Sequence, residues 1–352
     1  MRPNIVLSAL ALHADGSGVQ TYCRELLRAL PGAVDADLVA VVQDRARGEL
    51  HDGVRASVRA DCDGIRRTVE GLRGVGHADV VHGLDVDLPL RPGAPAVTTV
   101  HDLSLFDEPS AFGWSRRVGK QVTTRASIRR ADAVIAVSSF TAERVRARFG
   151  RESHVVLEAP GPGFAPPSAG DIASVRARYP LPQQFVLHVG NLEPRKDVPT
   201  LARAAAAADL PLVLAGGHIV TVDAPAGAIL LGQVAAADLP ALYGAATVVA
   251  YVSRYEGFGL PPIEAMACGA TVMATRCGAL PDVAGDGIEF VAAGDADAQA
   301  RALRDLVHDP ARREARARAG RAAAGLLSWE ATARATVDVY RSLGVVMPRI
   351  TS

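Results

Sequence analysis

The sequence predicts two doubly wound α/β domains in one chain, and three observations carry that reading. Short apolar runs alternate with helical segments along the whole length. The runs are continuous, as parallel strands buried on both faces require. Residues 159–168, Ala-Pro-Gly-Pro-Gly-Phe-Ala-Pro-Pro-Ser, read as a linker, and the alternation restarts beyond it. A chain of 352 residues is long for one domain and ample for two.

Taken in order, residues 4–10 form a strand and 19–30 a helix, followed by strand 38–42, helix 65–72 and strands 79–82 and 96–100. A longer helix over 114–130, strand 133–137, helix 139–149 and strand 154–157 complete the first half. Past the linker, strands are expected at 185–189, 212–215, 229–231, 247–252, 271–274 and 289–291. Helices are expected at 198–208, 238–243, 297–307 and 312–324, the last an alanine-arginine stretch that reads as a solvated helix. Ser328-Trp329-Glu330 caps a final helix running to about residue 343. The expected boundaries are 1–160, 161–327 and 328–352, with a ligand in the cleft between the halves.

Apolar residues make up 49 % and charged residues 22 % of the chain, enough for an ordinary core in each half. Formal net charge is zero, which speaks against a nucleic-acid partner, whose footprint is a basic excess. Cys23, Cys62, Cys268 and Cys277 show neither CxxC nor zinc spacing and read as reduced thiols of a cytosolic protein. The apolar N-terminus is short for a secretory leader and runs into a glycine loop, so a first core strand is the expectation. No stretch approaches the roughly 20 apolar residues of a membrane span, which points to the cytosol or a membrane surface.

Residues 253–269 read Ser-Arg-Tyr-Glu-Gly-Phe-Gly-Leu-Pro-Pro-Ile-Glu-Ala-Met-Ala-Cys-Gly. They follow a β-branched run, are broken by Gly257 and Gly259, and turn helical at Pro261-Pro262, proline being pre-set for a first helical turn. The helix is expected over 263–268, with Gly269 just past its end. Glu256 and Glu264 flank a helix N-terminus suited to an anion. A carboxylate accepts two O–H donors at once, so each glutamate suits a vicinal diol of a ribose or a sugar. The alternatives are a helix charge with a surface residue, or a glycosidase acid/base pair opposed across a scissile bond. Neither accounts for the intervening Gly-Phe-Gly-Leu-Pro.

Gly190-Asn-Leu-Glu-Pro-Arg-Lys-Asp197 stands between a strand and a helix. Arg195 and Lys196 can there reach a diphosphate, arginine as a fork and lysine as a point charge; the alternative is a solvated turn. Together, residues 190–196, 253–264 and 278–287 resemble the retaining glycosyltransferases of family GT4, and the resemblance spans essentially the whole chain. It implies the GT-B fold, in which two Rossmann-like domains face a central cleft and the last helix crosses back to the first domain. It also implies that Glu256, the first glutamate of the E-x7-E motif, contacts the donor sugar. Glu264 would then hold the ribose hydroxyls, and Arg195 and Lys196 the diphosphate. Gly257, Phe258, Gly259 and Leu260 complete this donor site. Asp197 and Asp282 depart from the asparagine and glutamate usual at those places.

Gly16-Ser17-Gly18 lacks the third glycine of a dinucleotide fingerprint, Thr21 standing in its place. In the resembled family this loop lies against the donor phosphate, so Gly18 is a donor-site candidate, with a simple tight turn as the alternative. Val100-His101-Asp102 looks like the His-Asp pair of mannosyl- and rhamnosyl-type members, near the transferring carbon. His101 and Asp102 therefore join Glu256 as catalytic candidates, against the commoner fate of a histidine satisfied in a loop. His82-Gly83 is a weaker acceptor-side candidate. Asp85-Val86-Asp87 is a D-x-D, but Asp35/Asp37, Asp61/Asp63 and Asp295/Asp297 match equally well. No metal is expected; Arg195, Lys196 and helix dipoles neutralise the leaving diphosphate instead. The basic 112–130 segment, with Phe112 and Trp114 leading in and no acid, reads as a solvated helix face or as a contact with anionic lipid.

The expectation is a metal-independent, retaining glycosyltransferase with no cofactor, cytoplasmic or peripheral on the inner face of a membrane. It takes a hexose from a nucleoside-diphosphate sugar to a hydroxyl of a glycan, lipid-linked or small-metabolite acceptor. The His101 resemblance favours GDP-mannose over a UDP- or dTDP-sugar. A nucleotide-sugar epimerase or hydrolase of the same fold is the alternative. An NAD-dependent oxidoreductase rests only on the incomplete glycine fingerprint.

Overall fold

The structure, a computed structural model, describes residues 2–13, 18–71, 73–108, 114–216 and 225–348. The chain divides into two compact units, Met1–Glu158 with Ser328–Ser352, and Ala159–Leu327.

The first unit holds a seven-stranded sheet. Its strands are β1 (Asn4–Ser8), β2 (Asp37–Gln43), β3 (Val54–Arg59), β4 (Val80–Gly83), β5 (Ala96–Val100), β6 (Ala133–Ala136) and β7 (His154–Val155). They lie in the order β3-β2-β1-β4-β5-β6-β7, every neighbouring pair parallel. Helices α1 (Gly18–Ala29), α2 (Gly64–Gly71), α3 (Ser104–Asp107), α4 (Trp114–Arg130) and α5 (Ser139–Phe149) connect them. The chain winds outward from β1 in both directions, so strand order reverses between β1 and β4. In such sheets the carboxyl ends at that reversal leave a crevice for a ligand.

The second unit repeats the plan with β8 (Val186–Val189), β9 (Leu212–Ala215), β10 (Ile229–Gly232), β11 (Val248–Tyr251), β12 (Val272–Thr275) and β13 (Ile288–Val291). Their order is β10-β9-β8-β11-β12-β13, again all parallel, and the reversal falls between β8 and β11. Helices α6 (Ala169–Arg178), α7 (Val198–Ala207), α8 (Leu239–Ala245), α9 (Leu260–Ala267), α10 (Leu280–Val283), α11 (Ala296–His308) and α12 (Pro310–Ala324) cover it. Leu201 of α7 and Leu303 and Leu306 of α11 are fully buried in one core with Val186, Val248 and Met273 of the sheet.

Four labelled elements are additional to the sequence expectation: the one-turn helices α3 and α10, the strand β3 and the helix α6. β3 is an edge strand whose residues alternate between half-buried and exposed, so it lacks the continuous apolar run that marks its neighbours. α6 follows the proline-rich stretch directly, started by a capping box in which Ser168 and Asp171 satisfy each other's backbone N–H.

The last helix, α13 (Trp329–Ser342), packs within the first unit. Thr332 donates from Oγ1 to Leu157 O at 2.7 Å. Tyr340, fully buried, places its hydroxyl 2.7 Å from His82 Nδ1. The Trp329 ring meets Tyr22 edge-on at 5.9 Å between centroids.

α12 lies so close to the turn before β13 that a Cβ on Gly287 would stand 2.3 Å from Gly320 Cα. Gly287→Ala must push α12 off the sheet or distort the turn, and is expected to cost the second unit about 1–3 kcal/mol. Thermal unfolding reads this, and an unshifted midpoint would show that the helix moves freely.

Candidate functional site

In the second unit, two loops leave the sheet where strand order reverses, one after β8 and one after β11. The β8 loop passes through Gly190 at φ 141°. It runs so close to the end of β9 that a Cβ on Gly216 would lie 2.2 Å from Gly190 O. Pro194–Lys196 forms a 3-10 turn, and Asp197 at φ 52° redirects the chain into α7. The Asp197 carboxylate accepts from Thr200 Oγ1 at 2.8 Å and from the Arg254 guanidinium at 3.2 Å. Arg254 N donates to Arg195 O at 2.7 Å. The two loops are thus stitched together, and their charged side chains meet.

Lys196 Nζ stands 2.6 Å and Arg195 Nη1 2.8 Å from the same oxygen, Glu256 Oε1. Arg195 also donates from Nε to Glu193 Oε2 at 2.7 Å. Lys196 donates to the Tyr251 hydroxyl and lies 4.4 Å from the centre of that ring. Lys196 is 6 % and Glu256 7 % exposed. Burial pushes the Glu256 carboxyl up, but Lys196 and Arg195 outweigh it and hold it down at about 2. Burial also lowers the Lys196 ammonium, with Glu256 opposing.

His188, in β8, stacks on Tyr251 with ring centres 5.9 Å apart. Its Nδ1 donates to Ala250 O at 3.1 Å, while Nε2 is buried without a hydrogen-bond partner among the described residues. Burial and then Lys196 push this imidazole down to about 4, so it is neutral near pH 7. A Cβ on Gly190 would lie 3.9 Å from that nitrogen and 4.0 Å from Lys196 Nζ. Sequence reasoning passed over His188; a lone polar residue inside an otherwise apolar strand was the available signal.

The helix after Glu256 begins at Leu260, three residues earlier than expected, with Gly259 at φ 99° ahead of it. Pro261 and Pro262 therefore occupy its first turn and supply no N–H. An anion at this helix start meets fewer backbone donors than the expected geometry implied, so the two cations matter more. Phe258 and Leu260 are buried. Gly278, at φ 59°, would carry a Cβ 2.8 Å from Phe258 O and 3.2 Å from Glu256 Cβ. Glu264 is 8 % exposed and accepts from the Tyr243 hydroxyl at 3.2 Å. Gly269 takes φ 75° just past the helix, as expected.

The remaining candidates belong to the first unit. His101 follows β5, its Nε2 donating to Leu84 O at 2.8 Å and its Nδ1 3.1 Å from Glu158 Oε1. Burial lowers its pKa, but Glu158 more than compensates, so the net shift is upward. A doubly protonated ring satisfies both acceptors. Asp102 is exposed, and its Oδ1 accepts from Ser104 N at 2.8 Å and Ser104 Oγ at 2.6 Å, capping α3. Gly18 opens α1, but Gly16 and Ser17 lie outside the described residues, as does Phe112 of the basic segment. His82 is fully buried, bonded to Thr99 Oγ1 at 2.8 Å and to Tyr340; burial pushes it down to about 3. It is a core residue holding α13.

Two family models match the chain, Glycosyltransferase Family 4 over residues 16–158 and Glycosyl transferases group 1 over residues 173–324. O-antigen chain mannosyltransferase B of Escherichia coli is 31 % identical over 284 residues, spanning 75 % of this chain and 74 % of that one. A D-inositol 3-phosphate glycosyltransferase of Streptosporangium roseum is 30 % identical over 389 residues, spanning 97 % and 87 %. Sucrose-phosphate synthase from Thermosynechococcus elongatus shares the fold with a TM-score of 0.77 at 23 % identity, over 97 % of this chain and 99 % of that one. HepE of Anabaena, solved with UDP and glucose, gives 0.76 at 17 %, over 98 % and 100 %. The two parallel-sheet units are those of a GT-B protein.

Glu256→Gln leaves the buried Lys196 and the half-buried Arg195 without their shared counter-charge. At neutral pH it is expected to destabilise the second unit by roughly 3–5 kcal/mol. Because the native carboxyl titrates near 2 and an unfolded one near 4.5, the wild-type advantage is full above pH 4.5 and fades towards pH 2. Pyrophosphate is expected to raise the variant's melting temperature more than the wild type's. Equal melting temperatures, or no pyrophosphate response, would count against the cluster.

Proposed function

The chain belongs to glycosyltransferase family 4, and on that premise we propose that it moves a hexose from a nucleoside-diphosphate sugar to a hydroxyl acceptor, retaining the anomeric configuration and using no metal. It is an enzyme of the glycosyltransferase class; the donor, the stereochemistry and the acceptor are the proposal. GDP-mannose is the favoured donor, supported by the mannosyltransferase relative. The acceptor is a glycan, a lipid-linked glycan or a small metabolite.

One observation carries the reading: Arg195, Lys196 and Glu256 converge at the carboxyl ends of β8 and β11. The diphosphate takes over the two cations, arginine through its fork and lysine as a point charge. Glu256 then turns its lone pairs to the sugar hydroxyls, and Glu264 binds the ribose. Gly257 and Gly259 let the loop approach the donor, with Phe258 and Leu260 packed behind it. As the glycosidic bond breaks, negative charge grows on the departing phosphate where Arg195 and Lys196 already stand, so little reorganisation is needed. No carboxylate is placed as a nucleophile in this reading. The acceptor oxygen attacks from the face the phosphate leaves, and its proton passes to the phosphate oxygen.

The first unit takes the acceptor. His101 is held between Glu158 and Leu84 O, with Asp102 shaping the following turn and Gly18 opening α1. α4 turns Val118 and Val122, 38 % and 60 % exposed, to the same side as the exposed Arg125 and Arg129. That face suits peripheral contact with an anionic membrane. No described helix is long and apolar enough to span one.

A thermal-shift panel of GDP-mannose with UDP-, ADP- and dTDP-glucose reads the donor, and turnover in excess EDTA reads the metal. Product anomers observed by NMR should match the donor's. Lys196→Ala is expected to weaken donor binding about 10- to 100-fold, a lost charge-assisted bond being worth about 1.5–3 kcal/mol. Inverted product, EDTA-abolished turnover or unchanged Lys196→Ala kinetics would each overturn its part.

The membrane contact has its own measurement. The wild-type chain is expected to sediment with phosphatidylglycerol vesicles at low salt and much less with phosphatidylcholine. Val122→Glu combined with Arg125→Glu should abolish this, and equal sedimentation of both chains would remove α4 from the contact.

A further inference from the structure

Of the four D-x-D pairs in the sequence, burial singles out one. Asp35, Asp37, Asp61, Asp63, Asp295 and Asp297 are exposed or half-buried, whereas Asp85 and Asp87 are 9 % and 8 % exposed. They follow β4 directly, at the strand-order reversal of the first sheet. This is the counterpart of the place Glu256 holds after β11.

The loop that carries them is held by its main chain. Leu84 O accepts from His101, Asp85 O from Thr98 Oγ1 at 3.3 Å, Val86 O from Ser127 Oγ and Leu88 O from Arg130 at 2.9 Å. Gly83 permits the tight return, since a Cβ there would lie 2.8 Å from Asp87 O and 2.9 Å from Asp85 O. The backbone is fastened, and so is Asp85, which accepts from Arg67 Nη2 and from the Val86 backbone N–H; Asp87 is the looser of the two. Arg67 Nη2 lies 3.4 Å from Asp85 Oδ2 and 3.7 Å from Asp87 Oδ2. Asp87 Oδ2 is buried with no hydrogen-bond partner among the described residues. Burial, and then the Asp85 charge, push the Asp87 carboxyl up to about 6 against Arg67 and Lys120. Glu256, equally buried, has two cations within 2.8 Å. Buried carboxylate oxygens are almost always hydrogen-bonded, so this one is an acceptor short of a donor.

We propose that Asp85, Asp87 and Arg67 form an acceptor subsite that grips two neighbouring hydroxyls of a neutral sugar. The hydroxyls donate to the two carboxylates and accept from Arg67. A divalent cation is disfavoured because the guanidinium already bridges the acids. A phosphorylated sugar is disfavoured because its charge would face two carboxylates whose arginine is spent on them. Arg67, with 22 % of its side chain exposed, is the open side of the cluster. Calling this the acceptor side rests on the function proposed above.

Saturation-transfer NMR on the full chain with GDP tests it. The probes are methyl α-mannoside, methyl α-glucoside, methyl β-galactoside, the methyl glycoside of N-acetylglucosamine and myo-inositol, set against mannose 6-phosphate. At least one neutral probe is expected to bind, and Asp87→Asn to weaken it tenfold or more. GDP-mannose affinity should stay within twofold and the melting temperature should hold or rise. Asp85→Asn gives a second reading should Asp87→Asn fold poorly. Neutral binding unmoved in both variants, no neutral probe binding while GDP-mannose binds, or mannose 6-phosphate binding more tightly would each overturn the subsite. A shift in melting temperature alone would reduce it to a structural ion pair. If GDP-mannose itself fails to bind, the donor reading fails, while the sugar titrations still decide the subsite.

Discussion

One buried carboxylate oxygen shared by two cations organises the second unit. Glu256 Oε1 lies within 2.8 Å of both Arg195 and Lys196, in surroundings where either cation alone would be costly. The close approach of Gly190 to Gly216, the left-handed turn at Asp197 and the Arg254 bridge all bring the β8 and β11 loops to this meeting. The protein thus holds both cations at a fixed point, neutralised by one carboxylate. In the function proposed above, an anionic ligand takes that carboxylate's place.

The two sheets use the same topological opening for opposite chemistry. In the second unit the loop at the reversal is closed by short contacts between unlike charges. In the first, the equivalent loop leaves one acid oxygen without a donor among the described residues. Strong pairing suits a multiply charged ligand, because the exchange is one of charge for charge. Under-bonded acceptors suit hydroxyl groups, which bring donors and no charge.

Much of this was legible in the sequence because it is written in local terms. A strand buried on both faces shows itself as an apolar run, and β5 stands at the expected residues 96–100. Arg195, Lys196 and Glu256 each follow such a run, and the structure brings their side chains into contact. What was not legible depends on the third dimension. β3 was missed because one exposed face removes the apolar signal, and the meaning of His188 lies in a nitrogen whose surroundings come from other strands. Asp85-Val86-Asp87 looked no different from three surface copies until burial distinguished it. Pro261-Pro262 was read correctly as a helix start, yet its position three residues deeper changes how many N–H groups face outward.

The seat of α13 bears on how the molecule is made. Tyr340 meets His82 across 258 positions of sequence, and Trp329 closes over Tyr22. During synthesis the ribosome therefore delivers every residue of the second unit before the helix that seals the core of the first. Until that helix emerges, His82 lacks the hydroxyl that now engages its Nδ1, and the apolar faces of Tyr22 and its neighbours lack a cover. The first unit is begun first and finished last.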